Sequence, residues 1–127
     1  IRTTVFIEEQ LVPEELEWDD VDQSAVHLIA SNQQKQCMGC ARVSIHSNKN
    51  NAYIGRMAVL KTFRHQGVGR LLLQAALEYC LQQDSPTITL SAQTHAIGFY
   101  EKAGFKISSE PYLDAGIMHV DMVFNRM

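Results

Sequence analysis

Residues 67–83 (Gly-Val-Gly-Arg-Leu-Leu-Leu-Gln-Ala-Ala-Leu-Glu-Tyr-Cys-Leu-Gln-Gln) constrain the fold more than any other stretch, because they read as an amphipathic helix entered through two glycines. Val68, Leu71, Leu72, Ala75, Ala76 and Tyr79 recur at helical spacing, and Leu, Ala, Gln and Glu favour the helical state. Asp84-Ser85-Pro86 ends the run. Just upstream, residues 52–59 (Ala-Tyr-Ile-Gly-Arg-Met-Ala-Val) read as a strand, so the chain passes from strand through a glycine turn into a helix. The first N–H groups of a helix have no intrahelical partner, and the helix dipole places partial positive charge there. Gly67 and Gly69 remove the Cβ atoms that would hold an anion away from those groups. Arg64 and Arg70 add charge-assisted donors suited to a pyrophosphate.

A glycine pair can also serve only as a tight entry to a helix, and two rival phosphate-binding motifs do not fit the residues. A Walker loop needs Gly-Lys-Ser/Thr, but Gly69 is followed by Arg70-Leu71. A dinucleotide fingerprint needs a third glycine near position 72, which is leucine, and an acidic residue ending the next strand, which ends in Ser91-Ala92-Gln93.

The remaining elements follow from pattern. Residues 2–10 suit a short helix, and residues 12–23, acidic and broken by Pro13, suit a loop. Residues 25–30, 37–45 and 52–59 are strand candidates, with turn-rich connections at 31–36 and 46–51. Residues 87–92 form a fourth strand rich in β-branched side chains. Residues 96–102 form a second helix that Gly104 should cap. Two closing strands at 105–108 and 119–124 are joined by residues 109–118. An antiparallel meander followed by strand-helix-strand-helix-strand predicts a single domain over residues 1–127: a three-layer α/β arrangement on a mixed sheet.

The formal charge of −3 disfavours a broad nucleic-acid-binding face, and no apolar run approaches a membrane span. Cys37 and Cys40 form a C-x-x-C within a strand, where residues three apart point to opposite faces, and only Cys80 remains as another thiol. Neither a metal site nor a redox pair is expected; reduced, buried thiols of a cytoplasmic protein are.

Arg64-x-x-Gly67-x-Gly69 matches the Q/R-x-x-G-x-G/A signature of the GNAT superfamily of acyl-CoA-dependent N-acyltransferases. Phe99-Tyr100-Glu101-Lys102-Ala103-Gly104-Phe105 resembles that family's second hallmark, one helix and one strand downstream. The ends resemble the ElaA-like branch: Val5-Phe6-Ile7-Glu8-Glu9-Gln10 with Val12-Pro13, Ala25-Val26-His27-Leu28, and Ala115-Gly116-Ile117-Met118-His119 with Met122. Gln93 stands where many relatives carry asparagine, and Met118 where this branch often has proline. The resemblance spans nearly the whole chain. It implies an α/β/α fold whose mixed, mostly antiparallel sheet is splayed at the cofactor site, with a first strand of the family missing from this chain.

The resemblance also implies roles. Acetyl-CoA would be the co-substrate, with main-chain contacts from Met57, Ala58 and Val59 to the pantetheine arm and with Arg64, His65, Gln66, Gly67, Val68, Gly69 and Arg70 around the pyrophosphate. Gln93, Phe99, Tyr100 and Lys102 would line the thioester or the adenine-side wall. Tyr100 would be the general acid toward the departing thiolate. A lysine-like acceptor amine costs about 4–5 kcal/mol to deprotonate at pH 7, so a base or water chain is expected. Relatives often use a glutamate on the strand before the loop, which here offers Gly55, Arg56 and Met57. His27 and His119 are the alternatives, since imidazole suits proton relay. Glu8 and Glu9 either contact a cationic acceptor or form a solvated face, and the acidic stretch 14–22 reads as solvated loop. The acceptor would be an amine of a small molecule or a protein, and a homodimer is compatible with such folds. A non-catalytic acyl-CoA-binding or sensing module is the rival reading, and a nucleotide-binding domain of another fold is the third.

Overall fold

Thr87–Gln93 turns Ile88, Leu90 and Ala92 into the core and leaves Thr87, Thr89, Ser91 and Gln93 half-buried on the other face; this strand lies at the centre of the sheet. The computed structural model describes residues 1–12, 25–46, 51–83 and 87–125. Among these, seven strands form one sheet: β1 (Val26–Ser31), β2 (Cys37–His46), β3 (Asn51–Val59), β4 (Thr87–Gln93), β5 (Lys106–Ile107), β6 (Tyr112–Asp114) and β7 (Ile117–Asn125). Their order is β1-β2-β3-β4-β7-β5, with β6 also paired to β7. Every pairing is antiparallel except β3–β4, which is parallel and needs the crossover helix α1 (Val68–Gln82). A second helix, α2 (Ile97–Lys102), packs against β4 and β5.

One core holds the fold. Leu73, Ala76, Leu77 and Cys80 of α1 meet Val43, Ala52, Ile54, Ile88, Leu90, Val120, Met122 and Phe105. The buried stripe of α1 is Val68, Leu72, Leu73, Ala76, Leu77 and Cys80, one residue round from the predicted stripe, and Leu71 is 63% exposed. Both stripes satisfy helical spacing; the observed one buries three leucines where the other would bury two with alanine and tyrosine. The opposite face of the sheet is covered by an N-terminal segment, Thr3–Glu9, wound more widely than an α-helix. The Gln10 amide donates to the Val5 carbonyl, five residues back, at 3.0 Å.

Two further details differ from expectation. The connection predicted over 109–118 contains a strand, β6, which turns into β7 through Ala115 (φ 51°) and Gly116 (φ 80°), a two-residue hairpin with both central residues left-handed. The strand predicted over 105–108 is only Lys106–Ile107. Gly104 does end α2, at φ 104°, and its amide donates to the Glu101 carbonyl at 3.0 Å. Cys37 is exposed rather than buried, Cys40 is half-buried, and Cys80 lies in the core. The acidic stretch 14–22 lies outside the described residues.

Candidate active site

β3 and β4 start as paired parallel strands and then separate. Their register runs Asn51↔Thr87, Ala52↔Ile88, Tyr53↔Thr89 and Ile54↔Leu90, and no pair follows, although β3 continues to Val59 and β4 to Gln93. An irregularity lies on the other side of β3, just past that point. Against β2, Cys40 pairs with Ala58 and Arg42 with Gly55, so Ala41 faces both Arg56 and Met57. This is a β-bulge, with Arg56 at φ 50°, and a bulge bends its strand and sharpens its twist. β3 and β4 part beside the bulge, leaving a wedge between the strands with its apex at Ile54 and Leu90.

The wedge opens into a cleft of about 560 Å³. Met57, Ala58 and Val59 form one wall and Ser91 and Gln93 the other; Tyr53, Tyr100 and His119 also line it, and Glu9 and Gln10 come from the N-terminal segment. Gln10 and Gln93 hold the segment to β4 through reciprocal amide hydrogen bonds, Gln93 Nε2 to Gln10 Oε1 at 2.9 Å and Gln10 Nε2 to Gln93 Oε1 at 3.3 Å. A ring nitrogen of His95 also pairs with Gln93 Oε1 at 2.7 Å.

The loop at the end of β3 reaches α1 through two left-handed residues, His65 (φ 64°) and Gly67 (φ 84°). No side chain caps the helix, and the first intrahelical bond is Leu71 N–H to the Gly67 carbonyl at 3.1 Å. The amides ahead of Leu71 are therefore available to an anion. The two glycines differ. At Gly67 an added Cβ would meet nothing, so backbone conformation selects glycine there. At Gly69 it would lie 3.4 Å from the Phe99 ring and 3.8 Å from Val59, ordinary van der Waals contacts, so neither strain nor clash demands glycine there. Arg64 donates from Nε to the Val59 carbonyl at 2.9 Å and through both terminal nitrogens to Glu9, at 2.7 and 2.8 Å. The Arg64 guanidinium holds the Glu9 carboxyl below its ordinary pKa.

Tyr100 projects from α2 with its ring edge-on to Phe99 and Phe105, at centroid distances of 5.0 and 6.1 Å. Its hydroxyl donates to Met57 Sδ at 3.9 Å, which sets the phenol against the wall of the wedge. Burial, with a smaller contribution from nearby Tyr53, pushes its pKa up to about 12, so the phenol keeps its proton at neutral pH.

A family model for the acetyltransferase (GNAT) domain matches residues 2–126. The chain belongs to the GNAT acetyltransferase family. In sequence it is 33% identical over 124 residues to a Bacillus subtilis (strain 168) protein named as an uncharacterized N-acetyltransferase, YjcF, covering 97% of this chain and 86% of the relative. In structure it resembles an acyl-CoA N-acyltransferase from Pseudomonas aeruginosa, with a TM-score of 0.85, 31% identity, and coverage of 97% and 84%. Escherichia coli ElaA superposes with a TM-score of 0.82 at 27% identity, covering 98% of this chain and 84% of that one.

This GNAT domain brings most of the predicted residues to one place. Met57, Ala58, Val59, Arg64, Gln93, Tyr100 and His119 all line the cleft. His65, Gln66, Gly67, Val68, Gly69 and Arg70 form the turn and first helical residues beside it, with Phe99 against Gly69. Lys102 is exposed at the end of α2. His27 lies elsewhere: it is exposed on β1, opposite Arg42, and lines a separate recess with Cys37 and Arg56. Glu9 lines the cleft but is engaged by Arg64, and Glu8 is exposed and not among the lining residues. Sequence reading missed Tyr53, Ser91, Tyr112 and Asp121. The alternation that puts Ser91 on the face of Gln93 was available as a signal; the hairpin that brings Tyr112 beside His119 was not, because β6 was read as loop.

Proposed function

We propose that residues 1–127 act as one acetyltransferase domain that moves the acetyl group of acetyl-CoA to a primary amine of a small molecule or protein. The observation that carries this reading is the wedge between β3 and β4, with free strand edges on both sides, an uncapped helix start at one end and a protonated phenol on its wall. Residues 57–59 offer main-chain groups to an extended amide-bearing arm. The amides ahead of Leu71, with Arg64 and Arg70, suit the pyrophosphate, so the residues present fit the donor. Phe99 and Lys102 would line the thioester or the adenine-side wall.

The amine attacks the thioester carbonyl, the N–C bond forms, and the C–S bond breaks with its electron pair leaving on sulfur. Tyr100 is the donor toward that sulfur. An ordinary thiol has a pKa near 8.5, below that of Tyr100, so full proton transfer would be uphill in water. The dry wall that raises the phenol raises the thiol as well, and Tyr100 acts by hydrogen bonding as negative charge develops. His119 Nδ1 lies 2.7 Å from the Ile117 carbonyl; an N–H there fixes the ring and leaves Nε2 as an acceptor toward the acceptor substrate. A cytoplasmic location accompanies this reading; no helix among the described residues is long and apolar enough to cross a membrane.

Calorimetry with acetyl-CoA and release of free thiol across a panel of amines test the proposal together. Binding with thiol release supports an acetyltransferase, binding without release on any amine favours a sensing module, and no binding removes both.

A further inference from the structure

The cleft has a polar exit on its β4 side. Ser91 is the first residue of β4 beyond the last β3–β4 pair, at the apex of the wedge, and its side chain lines the cleft. Its Oγ lies 2.5 Å from Tyr112 Oη, and Tyr112 donates to Asp121 Oδ1, also at 2.5 Å. Ser91, Tyr112 and Asp121 sit on three adjacent strands, β4, β6 and β7, with Ser91 directly opposite Asp121. Neither Tyr112 nor Asp121 is among the lining residues, and Asp121 is exposed. The chain therefore runs from the cleft floor to solvent.

Its polarity is fixed by chemistry. An ionised carboxylate only accepts, so the single proton of Tyr112 goes to Asp121 and the proton of Ser91 goes to Tyr112. Ser91 then offers only lone pairs to the cleft. Asp121 is held in place through its backbone: its amide donates to Ser109 Oγ and its carbonyl accepts from the Ser108 amide, both at 2.8 Å. The titratable groups around the chain are Tyr53 on β3, His119 stacked on Tyr112 at 6.1 Å, Asp114 on β6, and Arg56 beside Tyr53. Tyr53 also hydrogen-bonds Ser91; burial raises its pKa, so it stays protonated, and with the serine proton already on Tyr112 its hydroxyl can only donate to Ser91.

We propose that Ser91, Tyr112 and Asp121 form the route by which the acceptor amine loses its proton. The proposal rests on the acetyltransferase reading above. A proton of the incoming ammonium passes to Ser91 Oγ as the serine proton moves to Tyr112 and the tyrosine proton to Asp121, leaving a neutral amine to attack. The protonated Asp121 then releases it to bulk water. A second proton leaves nitrogen as the amide forms, and the thiolate, hydrogen-bonded by Tyr100, takes one up from water, so two protons leave the ammonium, one reaches sulfur and one is released to solvent. Ser91 is the catalytic residue of the three, since it touches the amine; Tyr112 and Asp121 act through it. The relay supplies the proton acceptor that β3 lacks, without requiring a strong base in the cleft.

The test is the pH dependence of acetyl transfer from acetyl-CoA to primary alkyl amines, for the full chain and for Asp121→Asn, Tyr112→Phe and Ser91→Ala. Each variant is expected to lose about a hundredfold in kcat/KM for the amine near pH 7 and to approach wild type near pH 10, where the amine arrives neutral. Asp121→Glu, which keeps a carboxylate, should recover much of the loss. An equal loss at every pH in all three variants marks a structural role and overturns the relay, as do variants that match wild type throughout. If His119→Gln shows the pH-dependent loss and these variants do not, the proton leaves through His119 and the relay is wrong. Wild-type protein that binds acetyl-CoA but transfers to no amine overturns the acetyltransferase reading, and the relay with it.

Discussion

Arg64 and Glu9 are locked together as a two-pronged ion pair, with both terminal nitrogens of the guanidinium on the two carboxylate oxygens at 2.7 and 2.8 Å. The pair ties the loop after β3 to the N-terminal segment that lines the cleft. It sets the Arg64 charge beside the loop while engaging its terminal donors. The two side chains are 31% and 39% exposed, so the pair belongs to the weak, solvent-screened class of interactions.

Glu9→Gln should therefore cost no more than about 1 kcal/mol of stability. Acetyl-CoA binding should not weaken, because the change frees a guanidinium next to a pyrophosphate site. Arg64→Ala should weaken binding about tenfold. Urea unfolding and calorimetry read the two effects, and equal weakening in both variants would show that Glu9 positions Arg64 for the donor. Glu9 has a lowered pKa, so the contribution of the pair is present above the ordinary carboxylate range and fades as pH falls through the lowered value.

Tyr100→Phe should lower kcat by about a hundredfold with little change in the acetyl-CoA KM. The hydroxyl's hydrogen bond is a 3.9 Å contact to a thioether, so the ring can stay packed on Phe99 and Phe105 after the change. Steady-state kinetics decide this: unchanged turnover removes Tyr100 from the chemistry.

The raised phenol pKa values set an alkaline limit on stability. Tyr100 and Tyr112 are both pushed up to about 12, Tyr100 by burial and Tyr112 by burial and then the Asp121 hydrogen bond. Because the folded values exceed the unfolded value near 10, the contribution is whole below pH 10 and is lost as pH rises toward 12. For Tyr100 alone the loss should reach about 2–3 kcal/mol. Urea unfolding at stepped pH measures it, and Tyr100→Phe should flatten the decline.

Gly104→Ala should destabilise the fold by about 1–3 kcal/mol. Its backbone is left-handed at φ 104°, and an added Cβ would lie 2.9 Å from the Phe124 ring. Gly67→Ala shares the left-handed strain but meets no neighbour, so it should cost less; thermal unfolding of both variants checks the ranking.

Much of this was legible in the sequence because it rests on local pattern. The glycine turn, the helix after it and the alternation in residues 87–92 depend on neighbours in the chain, while the cleft walls at residues 57–59 and 93 came from the family resemblance. The residues that escaped depend on pairings across the sheet. Tyr112 gains its place only when Ala115 and Gly116 turn the chain back along β7, and an alanine in a left-handed turn is a weak signal. His27 and His119 look alike as strand histidines, yet only the strand order puts one beside Gln93 and the other on β1. Glu9 looked like a free carboxylate because its partner is 55 residues away.

Arg56, at φ 50°, sits in the bulge beside the point where the cleft opens. The additional residue in β3 opposite Ala41 falls just where β3 stops pairing with its parallel neighbour. A chain with Arg56 deleted would be expected to zip β3 further along β4, melt at a higher temperature and lose acetyl-CoA binding. Thermal unfolding and calorimetry on that deletion would show whether foldability was traded for a place to hold a ligand.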